Sequence, residues 1–267
     1  MKGSAQKRGF SIPELLIVCG LFSIFSLVSY SLLNSGVKLW LSSESSRDVT
    51  EQLQKARAIL QTDLKEASID EILVSRTAQP DESFETGDIL NLLSPYNPEL
   101  ENMGRRHDGT ALWQRNVLYY SAIIKEHDRV FPVNCPGQSR QSVCPHKVLV
   151  RRVLDTGVRT RPQSPDKEVE TLLPLRDLKA ELLIPDNLTS SLESSDTRRS
   201  PIVALGLVQV RFEFPAVGGL PGEVRVKLQG FDVSQAGKNV LFNQDLSKSP
   251  YTHTVDFSVF PDNTESL

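Results

Sequence analysis

Residues 15–37 read LLIVCGLFSIFSLVSYSLLNSGV, and residues 49–67 read VTEQLQKARAILQTDLKEA. The first stretch holds 23 residues and no charge. As a helix it would measure about 34 Å, enough to cross the roughly 30 Å hydrocarbon core of a bilayer. Lys7 and Arg8 precede it and direct the N-terminus to the cytoplasmic side, with the remainder sent across. In the second stretch Val49, Leu53, Ala56, Leu60, Leu64 and Ala67 recur at spacings of three and four, one apolar stripe at the helical period. Gln52, Lys55, Arg57, Gln61, Asp63 and Lys65 fill the remaining, polar faces. The two stretches together predict one helix from Phe10 to about Ala67, near 87 Å long, with Gly36 and Ser42–Ser46 placed to bend or loosen the join.

Beyond residue 70 the periodicity changes from helical to strand-like. Asp88–Leu93, Asn116–Ile124 and Lys147–Val153 are short runs rich in β formers. In Leu207–Phe214, alternation assigns Val208, Val210, Phe212 and Phe214 to one face. Glu223–Leu228 puts Val224, Val226 and Leu228 inward, and His253–Phe260 does the same with Val255, Phe257 and Val259. Pro215–Gly222 reads as the loop of an antiparallel hairpin. Such alternation predicts a sheet with one face buried, covered by the amphipathic half of the helix. The fold class is therefore α+β: a long N-terminal helix, transmembrane and then amphipathic, packed on a mainly antiparallel β-sheet head. Asp155–Lys167 and Ser190–Ser200, rich in charge, Pro and Ser, are read as surface loops.

Glu14 is the feature a plain signal anchor leaves unexplained. It stands at the cytoplasmic edge of the apolar run, where a carboxylate is costly in lipid and implies a partner. Lys7-Arg8-Gly9 followed by Phe10-Ser-Ile-Pro-Glu14-Leu-Leu-Ile-Val resembles the N-terminal signal of type IV pilins and the pseudopilins of type II secretion. The resemblance implies cleavage after Gly9 by a prepilin peptidase and methylation of Phe10. It also implies that Glu14 pairs with the N-terminal amine of a neighbouring subunit during assembly. Electrostatics agrees, because each charge alone is expensive in a low-dielectric bundle and the pair neutralises both. Pro13 departs from the usual Leu or Ile, but it falls in the first turn, where its missing N–H costs no bond. The head resembles, more diffusely, the J-type minor pseudopilins and related minor pilins. The likeness lies in LQKARAILQTDLKEA, the Tyr119-Tyr120 strand, Leu149-Val-Arg151 and the closing Phe257-Ser-Val-Phe-Pro-Asp-Asn263. On this resemblance residues 1–9 are a leader and 10–37 the transmembrane, filament-core half of the helix. Residues 38–68 are its amphipathic half, and 69–267 a β-rich periplasmic head. The implied setting is the bacterial inner membrane, single-pass, and then a filament. The implied partners are the peptidase and other pilin or pseudopilin subunits.

Other classes are disfavoured by composition and motifs. The formal charge is −3, and losing Lys2, Lys7 and Arg8 with a leader takes it to −6, so no nucleic-acid partner is expected. Cys135 and Cys144 close a short loop beyond the membrane segment and are read as a disulfide in an oxidising compartment, with two unpaired thiols as the plain alternative. The alternative, a metal with His146 as third ligand, lacks a fourth ligand. His107-Asp108 and His127-Asp128 are read as solvated pairs, and Asn187-Leu-Thr189 as a chance sequon. Trp40 is expected at the outer membrane boundary, and Trp113 in packing or at the surface. No nucleophile elbow, phosphate loop or zinc-protease motif occurs, so neither catalysis nor a cofactor or metal is expected. The remaining alternatives are a tip module that binds a surface, DNA or secreted cargo, and a signal-anchored envelope protein of another kind.

Overall fold

The computed structural model describes residues 11–69, 71–75, 86–97, 102–105, 109, 111–113, 115–124, 144–154, 171–174, 176–178, 182, 202–214, 222–232, 246 and 249–261. The chain divides into two units, Met1–Ser46 and Arg47–Leu267. Helix α1, Ile12–Glu66, contributes to both. Ser11 caps it: the Leu15 amide donates to the Ser11 carbonyl at 3.1 Å, and that is the first helical bond. Pro13, second in the helix, loses no bond there. Helical hydrogen bonding runs through Gly36 and Ser42–Ser46 without a break. It ends in a tightened turn, Ala67 amide to Leu64 carbonyl at 3.3 Å, with Lys65 in its last turn complementing the dipole.

In the first unit the described helix is one apolar surface. From Ile12 to Leu41 its large side chains, Trp40 included, stand exposed. It is the one helix among the described residues long and apolar enough to cross a membrane.

The second unit is built on an antiparallel sheet. Its strands are β1 (Ile72–Ser75), β2 (Thr86–Gly87), β3 (Ile89–Ser94), β6 (Arg115–Ala122), β7 (Lys147–Leu154), β8 (Ile202–Glu213), β9 (Val224–Phe231) and β10 (Thr252–Val259). Between β3 and β6 the short strands β4 (Tyr96–Asn97) and β5 (Asn102–Met103) pair apart as a small ribbon. The order across the main sheet is β1-β3-β6-β7-β8-β9-β10, and β2 pairs with the far end of β8, Thr86 opposite Glu213. Leu53, Ala56, Leu60, Leu64 and Ala67 of the stripe are buried on this sheet. They meet Leu90, Leu92, Val117, Leu149, Phe212, Val224, Val226, Leu228, Phe257 and Val259, with Val49 and Val255 half-buried at the margin. The fold is thus α+β, with a helix laid on an antiparallel sheet. The stripe, the inward faces of β9 and β10 and the β8–β9 hairpin follow the sequence expectation.

Three expectations fail, each for a physical reason. The sheet is not buried on one face alone. Leu118, Tyr120, Val148, Val150 and Ile202 point away from α1 and are covered by Leu173, Leu178 and Leu182. Asn116 holds that covering segment as a strand would: its Nδ2 donates to the Thr171 carbonyl at 2.9 Å, and its Oδ1 accepts from the Leu173 amide at 2.9 Å. Second, Val208 leaves the face of Val210 and Phe212 and packs behind the sheet with Phe231, Leu246 and Tyr251. Leu207 pairs with Gly230 and Gln209 with Gln229, so Val208 is the extra residue of a bulge, beside Gly206 in a left-handed conformation (φ +69°). The bulge reverses the alternation that precedes it. Third, Asp63 is buried, although it was assigned to the polar faces of the helix. Strand β8 also begins at Ile202, five residues before the alternation becomes clear. Trp113 is buried in the packing. The proposed loops at 155–167 and 190–200, the sequon, and the His107 and His127 pairs lie outside the described residues.

Candidate functional site

The sequence-derived candidates sit at the start of α1. Gly9 and Phe10 lie outside the described residues. Glu14 lies on the exposed first turn, and its Oε2 accepts from both the Ser11 amide and the Ser11 hydroxyl, each at 2.9 Å. This is half of a capping box: a helix-capping Ser and, three residues on, a Glu whose carboxylate returns to the cap's own N–H. The signal was present as Ser11-x-x-Glu14, and no sequence expectation used it. The carboxylate that the family resemblance assigns to a neighbour's amine therefore already has a local partner in the single chain. Among the other candidates, Cys144 is buried and disulfide-bonded, and Cys19 is a free thiol on the exposed helix. Cys135 lies outside the described residues.

A second constellation was not expected. Tyr119 of β6 and Arg151 of β7 are directly opposite each other in the sheet, so both side chains project from one spot toward α1. Asp63, within a turn of the helix end, meets them there. Arg151 Nε donates to Asp63 Oδ2 at 2.6 Å, Arg151 Nη2 to Oδ1 at 3.3 Å, and the Tyr119 hydroxyl donates to Oδ2. All three residues are at most 4% exposed. Burial pushes the Tyr119 phenol well above its ordinary pKa, and the neighbouring Asp63 carboxylate adds to this. Burial acts to lower the Arg151 guanidinium, but the partners Tyr119 and Asp63 outweigh it and hold its pKa above the ordinary value. The cluster is a satisfied, desolvated ion pair with a supporting phenol. Its geometry fixes a helix on a sheet and presents no group to solvent.

Lys147 forms a third polar feature. It is buried, and its ammonium donates to the Val208 carbonyl at 2.6 Å, closing the backbone group that the bulge displaces. Burial lowers its pKa to about 8, against a smaller opposing effect of Asp88. Among the described residues no group of His, Cys, Asp and Glu is arranged to hold a metal ion.

Compared with protein-family models, with curated proteins and with solved structures, the chain has no match.

Proposed function

We propose that this protein is a minor pilin or pseudopilin: a subunit whose N-terminal helix packs into a membrane-rooted type IV pilus or type II secretion filament, at its initiation or tip. One observation carries the proposal. Helix α1 changes along its length from exposed apolar on every side to one buried stripe, without a break in its helical structure. A cleaved secretory signal would end before a fresh domain, and a simple anchor has no need to roof the sheet. In this reading Lys7-Arg8-Gly9 is the end of a leader, prepilin peptidase releases and methylates Phe10, and Glu14 meets the amine of a neighbour. The head lies on the periplasmic side of a bacterial inner membrane. The size of the head suits a subunit that is not repeated along a dense fibre. Ser11 keeps the Glu14 carboxylate hydrogen-bonded in the unassembled chain, which lessens the cost of holding a charge at the membrane edge.

The test is the N-terminus and intact mass of the membrane-extracted protein, with and without the host's prepilin peptidase. A peptidase-dependent product beginning at methylated Phe10 is expected. An uncut chain, or one cut near Ser31, where Ser29-Tyr-Ser31 could serve as the small-x-small site of an ordinary secretory signal, would end the proposal. In the same strain Glu14→Ala is expected to insert normally and to fail in assembly.

A further inference from the structure

On the far face of the sheet, residues 171–174 belong to no strand, yet two side-chain amides hold their main chain. Asn91 and Asn116, both fully buried, supply them. Asn116 Nδ2 donates to the Thr171 carbonyl and its Oδ1 accepts from the Leu173 amide, each at 2.9 Å. One carboxamide thus takes the C=O of one residue and the N–H of the residue two further on, which is what a neighbouring strand would take from the same edge. Asn91 begins the same pattern two residues later, its Nδ2 donating to the Leu173 carbonyl at 3.4 Å. The spacing is built into the sheet. Asn91 of β3 is opposite Leu118 of β6, and Asn116 lies two residues before Leu118, a diagonal of about 7–8 Å. Two residues of extended chain advance about 6–7 Å. The two amides therefore stand at close to the repeat of a peptide edge.

The second amide is only half used. A repeat of the first would bring the N–H of residue 175 to Asn91 Oδ1, but that oxygen is buried and has no hydrogen-bond partner among the described residues. The reason lies just beyond Leu173. The Pro174 carbonyl accepts from the amides of Asp177 and Leu178 at 2.9 and 3.2 Å, so the chain enters a helical turn there, and Pro suits the start of such a turn. A buried acceptor without a donor is uncommon and costly. We infer that Asn91 and Asn116 form a main-chain clamp for an extended peptide of a partner protein, and that residues 171–174 occupy the clamp in cis. The partner's segment carries a leucine-sized side chain where Leu173 packs against the far-face cluster. It stays extended for two residues more and so completes the bonding of Asn91. A second copy of this chain would bring the same turn at Pro174 and leave Asn91 Oδ1 unmet. Main-chain bonds of this kind supply affinity, and the apolar surface beneath selects the side chain. The inference does not depend on the pilin reading.

The test uses the full chain in detergent and fluorescent synthetic peptides of residues 169–177, with binding followed by anisotropy. Leu173→Ser in the protein loosens the cis segment, and its cooperative melting is checked first. The peptide carrying Pro174→Val should bind this variant about tenfold or more tightly than it binds the unchanged chain, where the tethered segment competes. N-methylation of the peptide's Leu175 amide should weaken binding about tenfold, the effect of one buried hydrogen bond lost. N-methylation at Leu172, whose N–H lies on the opposite edge of an extended chain, should not. If Leu173→Ser fails to melt cooperatively, the unchanged chain is titrated to millimolar peptide, and the two methylated peptides must still differ. Absence of binding, or equal loss from the two methylations, would overturn the inference. Equal or tighter binding of the peptide that keeps Pro174 would overturn it too and point to a second copy of this chain.

Discussion

At the scale of the residue, the decisive side chain is the one whose position was misjudged. Asp63 stands three residues after Leu60 and four before Ala67, inside the apolar stripe and not beside it. A charge in phase with a buried stripe is a signal that a partner waits in the core, and Arg151 answers it in phase with the buried Leu149 of β7. The pairing was illegible because it joins residues far apart in sequence, which no local period connects. Asp63→Asn keeps the shape and removes the charge that neutralises Arg151. It should destabilise the head by about 3–5 kcal/mol, measured as a shift of the urea midpoint with unchanged slope. Lys147 offers a pH test with a definite sign. Its folded pKa of about 8 lies below the ordinary 10.5, so above pH 8 the unfolded chain holds the proton that the folded chain has released. Stability should therefore rise with pH from about 8 toward 10, by about 2 kcal/mol relative to Lys147→Met. Above about pH 10 the raised Tyr119 phenol acts the other way, since only the unfolded chain can then ionise it. Glu14 was legible as a functional candidate from its isolation in an apolar run. Its bond with Ser11 is equally legible, as the capping pair Ser11-x-x-Glu14.

Among the elements, agreement was best where one physical period acts without interruption. The stripe of α1 and the inward residues of β9 and β10 are regular, and all eight residues of β10 pair in unbroken register with β9. Error entered where the period is interrupted or both faces are covered. The bulge at Val208 reverses the alternation of β8, and nothing in LGLVQVRF announces it except Gly206. The runs in β3 and β6 were apolar without alternation, the mark of strands buried on both sides. The later strands, by contrast, alternate clearly because a single face of each enters the helix-side core. The close approach of α1 to β9 gives a paired test. Gly230→Ala places a methyl within 2.7 Å of Val49 and should cost about 1–3 kcal/mol. Val49→Ala in the same chain should recover part of that loss, so the two changes should be non-additive in a thermal-denaturation cycle. Independent, additive losses would place the strain elsewhere.

For the molecule as a whole, the division after Ser46 separates an exposed apolar helix from a unit with its own core. A chain beginning at Arg47 retains every residue of that core. It should be soluble without detergent and melt cooperatively, whereas the full chain should need detergent to leave the membrane fraction. Recovery of the truncated chain only as aggregates would contradict this. The large design, a helix followed by an antiparallel sheet, could be read from periodicity alone. The covering residues 171–174 and 176–178 could not, because their hold depends on Asn116 and a few leucines with no period of their own. The order of the sheet has a further consequence in time. From β6 to β10 each strand lies beside its successor in the chain, so the pairings can form in the order in which a ribosome delivers them. The helix is delivered first, yet its stripe closes against Phe257 and Val259 of the last strand. Until that strand emerges, Leu53, Leu60 and Leu64 have only part of their cover. A nascent head is thus most vulnerable just before β10 emerges, with the helix made long before it still waiting for that cover.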